Sequence, residues 1–225
     1  KVYFETCTDK AYAGEYRGIR QGTCFAHNHY AGLSKLSVDQ STDAPLMSSA
    51  EVWFLRAEAA LRGFSNETPK TCYETGIKTS FAQWGVGDAT NYLASDKKPS
   101  DYKEMVPASG GKDMKALITI SPKWNDTAGK EGQLEQIITQ KWLACWPESY
   151  EAWSEQRRTG YPKLFKVQTN NSGGTIDTND MIRRLPFSTD DADKDPVQYD
   201  LLKKALGGPD HGGTRLWWDA GKNNF

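Results

Sequence analysis

Apolar and polar positions recur with a helical period in the stretch that follows Pro45, and with no sustained period before it. Ser48-Ser49-Ala50-Glu51 has the form of a capping box, in which a serine hydroxyl satisfies a free helix N–H while the glutamate reaches back. Behind it Trp53, Ala57, Ala60 and Phe64 recur at i, i+4, i+7 and i+11. That spacing predicts a helix to Leu61 with one stripe facing a partner, and Gly63 stops it. Thr68-Pro69 opens a second helix, proline being suited to a first turn, with Tyr73, Ile77, Ser80, Phe81 and Trp84 as its stripe and Gly85 at its end. A loop of about five residues joins the two into an αα-hairpin. Such a hairpin is the unit of TPR-like solenoids, but a single clear copy is no internal repeat.

A third helix is expected over roughly 131–145, with Leu134, Ile137, Ile138, Lys141, Trp142 and Cys145 on a broad side that is mostly apolar. Pro147 breaks it, and a fourth follows over about 148–158 with Tyr150 and Trp153 turned inward. A short helix near 196–206 precedes Gly207-Gly208-Pro209 and a tail that ends in Leu216-Trp217-Trp218-Asp219. The intervening stretches are rich in turn-formers, notably 88–121 and the Gly/Ser/Asn run at 170–175. The expected fold class is therefore mostly α: helical hairpins with long irregular loops. It divides into a loop-rich segment (1–45), a TPR-like helix pair (46–86), and helices with long loops (87–225).

Composition sharpens this picture. The 225 residues suffice for one large domain or a domain and a half. Only 37% are hydrophobic, below the usual ~45–50%, while 12% are aromatic, including eight Trp and ten Tyr. The core is then built from few, large side chains set between long polar loops. Lys plus Arg (28) nearly cancels Asp plus Glu (29), which argues against nucleic acid or anionic lipid as a partner. No stretch approaches the ~18 apolar residues of a membrane span. The opening Lys1-Val2-Tyr3-Phe4-Glu5, without an initiator Met or signal peptide, reads as a processed or truncated start.

Several constellations bear on chemistry. The four cysteines have no metal-ligand spacing; Cys72 and Cys145 read as small core hydrophobes, while Cys7 and Cys24 flank a Tyr/Gly-rich loop and either pair in an oxidising compartment or stay free. Glycoside hydrolysis needs two carboxylates, and Glu51 and Glu58, seven apart, share a helix face about 10 Å apart along the axis. The plainer assignment gives Glu51 to the cap and pairs Glu58 with Arg157 or Arg158 from a packed helix. Asp190-Asp191-Ala192-Asp193-Lys194-Asp195 resembles the start of a calcium loop but lacks the Gly and the closing Glu, which favours a solvated acidic turn. His27 and His29 share a strand face as a metal pair would, with no third ligand nearby; His211 sits alone in a glycine-rich turn. There is no nucleophile elbow and no phosphate loop, and no cofactor is expected.

The aromatics weigh most. Sugars offer apolar C–H faces that stack on flat rings and hydroxyls that need polar partners. Tyr12, Tyr16, Arg17, Phe25, His27, His29 and Tyr30 lie on glycine-rich loops, where binding residues concentrate, whereas Trp53, Trp84, Trp142 and Trp153 lie on apolar stripes.

Taken in order, several segments resemble one family. Residues 49–63 (Ser-Ala-Glu-Val-Trp-Phe-Leu-Arg-Ala-Glu-Ala-Ala-Leu-Arg-Gly) and 73–86 are similar to the helix pair of the SusD/RagB family. Ile138-Thr-Gln-Lys-Trp-Leu-Ala144, Glu151-Ala-Trp-Ser-Glu-Gln-Arg-Arg-Thr-Gly-Tyr-Pro-Lys-Leu164, Arg183-Arg-Leu-Pro-Phe187 and Leu216-Trp-Trp-Asp219 follow in the family's order. The likeness covers residues ~11 to 219, as the C-terminal part of one such domain, and is nearest the starch-binding-associated SusD-like subgroup. The resemblance implies a surface-exposed outer-membrane lipoprotein of a Gram-negative bacterium, tied to the membrane only through a lipidated N-terminal Cys outside these residues. It further implies non-catalytic capture of oligosaccharide or polysaccharide and delivery to a SusC-like TonB-dependent transporter. With family geometry added to composition, the expected ligand contacts are Tyr12, Tyr16, Arg17, His29 and Tyr30. An α-helical glycosidase, or a TPR-like interaction scaffold without sugar affinity, are the competing readings.

Overall fold

The computed structural model of the protein describes residues 4–23, 30–36, 38–105, 110–219, 221 and 223–225. They fall into two compact units, one of residues 1–20, 25–165 and 225, the other of residues 21–24 and 166–224. Among the described residues regular structure is helical, and β pairing is limited to two isolated antiparallel bridges, Phe4–Leu36 and Tyr102–Met114.

The first unit is organised by three long helices, α1 (Ser49–Leu61), α2 (Pro69–Gln83) and α4 (Gly129–Ala144), with the short α3 (Thr90–Leu93) and α5 (Ser149–Thr159) around them. Helix α1 starts where the sequence signals it: the Ser48 hydroxyl accepts the Glu51 N–H at 3.1 Å. The box is only half closed, however, because the Glu51 carboxylate faces Lys141 at 3.6 Å. Helices α1 and α2 pack together as a hairpin and both rest on α4. The buried face of α1 is Ala50, Phe54, Ala57 and Leu61; of the expected stripe Trp53 and Ala57 meet the core, while Phe64 is 80% exposed. The physical reason is that α1 contacts two helices at once, which turns Phe54 and Leu61 to the centre and leaves Trp53 at the edge under the Arg56 guanidinium, 3.8 Å from its ring.

Tyr73 of α2 is fully buried, sits 6.2 Å edge-on to Phe54 and 5.1 Å from Trp124, and donates its hydroxyl to the Pro122 carbonyl at 2.7 Å. Gly76 lies under Phe54 so closely that a Cβ would come within 2.9 Å of the ring. We expect Gly76→Ala to lose about 1–2 kcal/mol in urea denaturation, since overpacking of roughly 1–3 kcal/mol exceeds the ~1 kcal/mol gained in helix propensity. A more stable variant would mean that the ring has room to move.

Helix α5 also departs from expectation. Tyr150 is 75% exposed and Trp153 only partly buried, whereas Glu155, Gln156, Arg157 and Thr159 are inside. Its inner face is polar because it answers buried charges on α1 and α4. Lys141, 0% exposed, donates to Glu151 at 2.6 Å and Glu155 at 2.7 Å. Arg158 grips Glu58 through both terminal nitrogens at 2.7 and 2.6 Å, and Arg62 adds a third bond at 2.7 Å.

The second unit contains α6 (Thr189–Lys194) and α7 (Pro196–Leu206) and is held largely by ion pairs. Arg183 and Asp219, 3% and 2% exposed, form a two-point pair at 2.6 and 2.5 Å. Arg184 binds Asp210, which also takes the Phe187 N–H and the Tyr199 hydroxyl. Gly213 is required by close approach, since a Cβ there would fall 2.1 Å from the Thr175 carbonyl oxygen. Trp217 is 90% exposed while Trp218 is half-buried, as adjacent residues on opposite faces must be.

Candidate functional site

The expected binding loop folds over a small apolar cluster of its own, built from Cys7, Tyr30 and Leu33 with Tyr12 and Met105 against it. Backbone bonds close it into a double turn: the Cys7 N–H donates to Glu15 at 2.8 Å, Gly14 N–H to Cys7 at 3.2 Å, and Asp9 N–H to Gly32 at 3.1 Å. This scaffold fixes Arg17, whose own N–H donates to the Ser34 hydroxyl at 2.9 Å. The Arg17 guanidinium then lies over the Tyr12 ring at 4.1 Å and is steadied by Glu15, which accepts from Nε at 2.8 Å. Its two terminal nitrogens make no hydrogen bond within the described residues. Tyr16, next in sequence, is 48% exposed. Arg17 and Tyr12 thus come together as a half-open aromatic and cationic pair, with Tyr16 exposed next to Arg17 in the chain.

Tyr30 sits differently. It is 6% exposed, and its hydroxyl donates to Glu104 at 3.3 Å. Glu104 is itself buried and also accepts from the Tyr102 hydroxyl at 3.4 Å and the Met105 N–H at 2.9 Å. Burial first, and the Glu104 charge second, hold the Tyr102 hydroxyl above its ordinary pKa. Tyr30 therefore underlies the loop and does not line its surface. Sequence spacing gave no hint of this support, because Tyr30 and Glu104 lie 74 residues apart in the chain. His29, His27 and Cys24 lie outside the described residues; Cys7 is a buried free thiol 3.7 Å from the Ser34 hydroxyl.

The carboxylates singled out as a hydrolytic pair are each engaged by cations. Burial pushes the Glu58 carboxyl up, but Arg158 and Arg62 more than offset it and hold it below the usual carboxylate range. Glu51 is pushed up, chiefly by burial, against the pull of Lys141. The partner of Glu58 is Arg158; Arg157 instead lies 3.6 Å over the Trp153 ring. In the acidic run, Asp190 pairs with Lys194 at 3.2 Å and Asp195 caps α7 by accepting the Gln198 N–H at 3.0 Å. The side chain of Asp191 lies outside the described residues. His211 accepts the Gly213 N–H at 3.1 Å through Nδ1. Among the described residues no group of three His, Cys, Asp or Glu side chains is placed to hold a metal ion, and no helix is long and apolar enough to cross a membrane.

Comparison with known proteins agrees with this architecture. Residues 1–219 match the model of the SusD-like family, described as Susd and RagB outer membrane lipoprotein. A solved SusD homolog from Bacteroides vulgatus is 57% identical, with a TM-score of 0.91 over 100% of this chain and 46% of that one. A chitin-binding SusD homolog from Flavobacterium johnsoniae is 40% identical, with a TM-score of 0.92 over 99% of this chain and 46% of its own. A SusD homolog from Bacteroides thetaiotaomicron is 34% identical, with a TM-score of 0.88 over 97% and 48%. The chain thus spans just under half the length of these structures. Among curated proteins none matches the sequence.

Proposed function

The chain belongs to the SusD-like family of outer-membrane lipoproteins, and from that membership and its loop geometry we propose that it takes part in glycan capture at the cell surface, without cleavage, for delivery to a SusC-like TonB-dependent transporter. The observation that carries the reading is the Arg17 guanidinium over the Tyr12 ring, on a loop where the neighbouring Tyr16 is exposed. A pyranose has one apolar face for such a ring and hydroxyls at its edge for the guanidinium donors. His29, two residues after His27 in the same segment, is the further contact, and Tyr30 holds the loop from beneath. The chitin-binding relative supports a glycan as ligand. The salt-bridged state of Glu51 and Glu58 favours binding over hydrolysis by that pair.

Isothermal titration of the full-length protein against starch-, chitin- and plant-derived oligosaccharides tests this. At least one is expected to bind intact. Replacing Tyr12, Tyr16 and Arg17 together by Ala is expected to weaken it about 100-fold, as removal of an aromatic and arginine hot spot does. Unchanged affinity in the triple variant would remove the loop from the site. Release of shorter sugars would favour the glycosidase instead, and failure to co-purify with a barrel transporter would remove the delivery step.

A further inference from the structure

The loop that carries Tyr12 and Arg17 rests on two short segments from far along the chain, residues 101–105 and 110–116. They are joined by the antiparallel Tyr102–Met114 bridge, whose N–H to carbonyl bonds measure 2.8 and 3.1 Å. Asp113 ties them again, accepting the Glu104 N–H at 2.9 Å and the Lys103 ammonium at 2.6 Å. Gly111 approaches Glu104 so closely that a Cβ there would fall 2.5 Å from the carboxyl carbon. Glycine thus leaves room for a carboxylate in a place where Glu104 is only 7% exposed.

The loop meets these segments at Tyr30, Tyr12 and Arg20. One Glu104 oxygen accepts the Tyr30 hydroxyl at 3.3 Å and the Met105 N–H at 2.9 Å, and the other accepts the Tyr102 hydroxyl at 3.4 Å. Met105 and Tyr12 pack against the cluster that holds Tyr30, so the ring under Arg17 shares its footing with the Glu104 clamp. Further along, Arg20 donates to the Lys112 carbonyl at 3.1 Å, and its guanidinium lies 6.0 Å from the Tyr102 ring centre. Burying a carboxylate is costly, and an apolar side chain would fill the same space without that cost. What the carboxylate adds is direction: two hydroxyls and an amide converge on its oxygens and fix the rings that bear them.

We propose that Glu104 is a positioning residue for glycan capture, acting through Tyr30 on the placement of the Tyr12–Arg17 pair without touching the ligand. The inference rests on the reading of this loop as the glycan site. A loop held in its binding geometry beforehand loses less conformational entropy when the ligand arrives.

The test uses the full-length protein, with maltoheptaose, chitohexaose and xylohexaose as calorimetric probes and NMR of isotope-labelled arginine in the ligand-free state. Glu104→Leu is expected to weaken the tightest probe about ten-fold. It is also expected to move or broaden the Arg17 Nε–H signal, which Glu15 and the Tyr12 ring hold in the parent. Tyr30→Phe removes one hydroxyl only and is expected to weaken the probe about three-fold. Glu104→Gln is expected to keep affinity within about two-fold, because its amide oxygen accepts from Tyr30 and Met105 while its NH2 donates to the Tyr102 oxygen. In the Tyr30→Phe background, Glu104→Leu is expected to add less than it does in the parent.

The proposal is overturned if Glu104→Leu lowers the melting temperature and leaves the Arg17 signal in place, since the carboxylate would then serve the fold alone. It is also overturned if Glu104→Leu spares affinity while the variant lacking Tyr12, Tyr16 and Arg17 loses it, or if Glu104→Gln is as weak as Glu104→Leu. Should Glu104→Leu not fold, Tyr30→Phe decides, and unchanged affinity and signal overturn the proposal. A variant lacking Tyr12, Tyr16 and Arg17 that keeps affinity ends the glycan reading of the loop itself. That failure is told apart because the Arg17 signal still responds to Glu104→Leu.

Discussion

Replacing Lys141 by methionine is expected to cost roughly 3–5 kcal/mol of folding stability at neutral pH, measured by urea denaturation. The ammonium is fully buried between Glu151 and Glu155, with Glu51 at 3.6 Å. Methionine fills the space but leaves the buried carboxylates of Glu51 and Glu155 facing each other, and the half-exposed Glu151, without their shared cation. Burial alone would depress the lysine, yet the charges and hydrogen bonds of Glu155 and Glu151 hold it above its ordinary value. A lysine raised in the folded state contributes stability that is present below its unfolded pKa, ~10.4, and lost as pH rises through the folded one. Burial of the neighbouring Cys145 thiol acts in the same direction, pushing it up to about 12, so alkaline loss begins near the unfolded thiol value of ~8.5. On the acid side the lowered Glu58 gives stability present above ~4.3 and lost as pH falls through its folded value. The Lys141→Met variant has a distinct signature. Its carboxylates gain protons readily, so its deficit is expected to shrink as pH falls toward 5. A loss under 1 kcal/mol, or a deficit independent of pH, would mean that the cluster is hydrated and weak.

The ion network also marks where sequence reading stops. The ends of α1 and α2 were legible because they depend on local chemistry: the Ser48 hydroxyl, Pro69 in the first turn, Gly63 and Gly85 with φ of 81° and 58°. The need of Glu58 for an arginine was legible too, since a mid-helix carboxylate among alanines requires a cation, and Arg158 supplies it. Which face of α1 turns inward was not, because Trp53 and Phe54 are both large and aromatic and only packing against α2 and α4 decides between them. Lys141 fell on the apolar side of its helix, yet its partners come from α1 and α5, a relation that no period within α4 encodes. In the binding loop the residue types pointed to sugar chemistry. The stacking of Arg17 on Tyr12 and the burial of Tyr30 depend on Ser34 and Glu104, distant in the chain.

In the second unit, Asp219→Ala is expected to lose about 3–5 kcal/mol, because it strips the buried Arg183 of its two-point partner. The loss arises from what remains. Arg183 keeps the carboxylate of Asp180 at 3.0 Å, and Arg215, which bridges Asp180 and Asp219 at 2.5 and 2.7 Å, loses one of these two carboxylates. Within this square of described residues two cations would then face the single carboxylate of Asp180. If the pair matters through the cost of orphaning a charge, replacing both members should cost far less than the two single losses combined. Arg183→Met with Asp219→Leu is accordingly expected to recover most of the stability lost in Asp219→Ala, with a coupling energy of at least about 2 kcal/mol in the cycle of single and double replacements. Additive losses would instead make the arginine's aliphatic packing the source of stability, and the charge square an accompaniment to it.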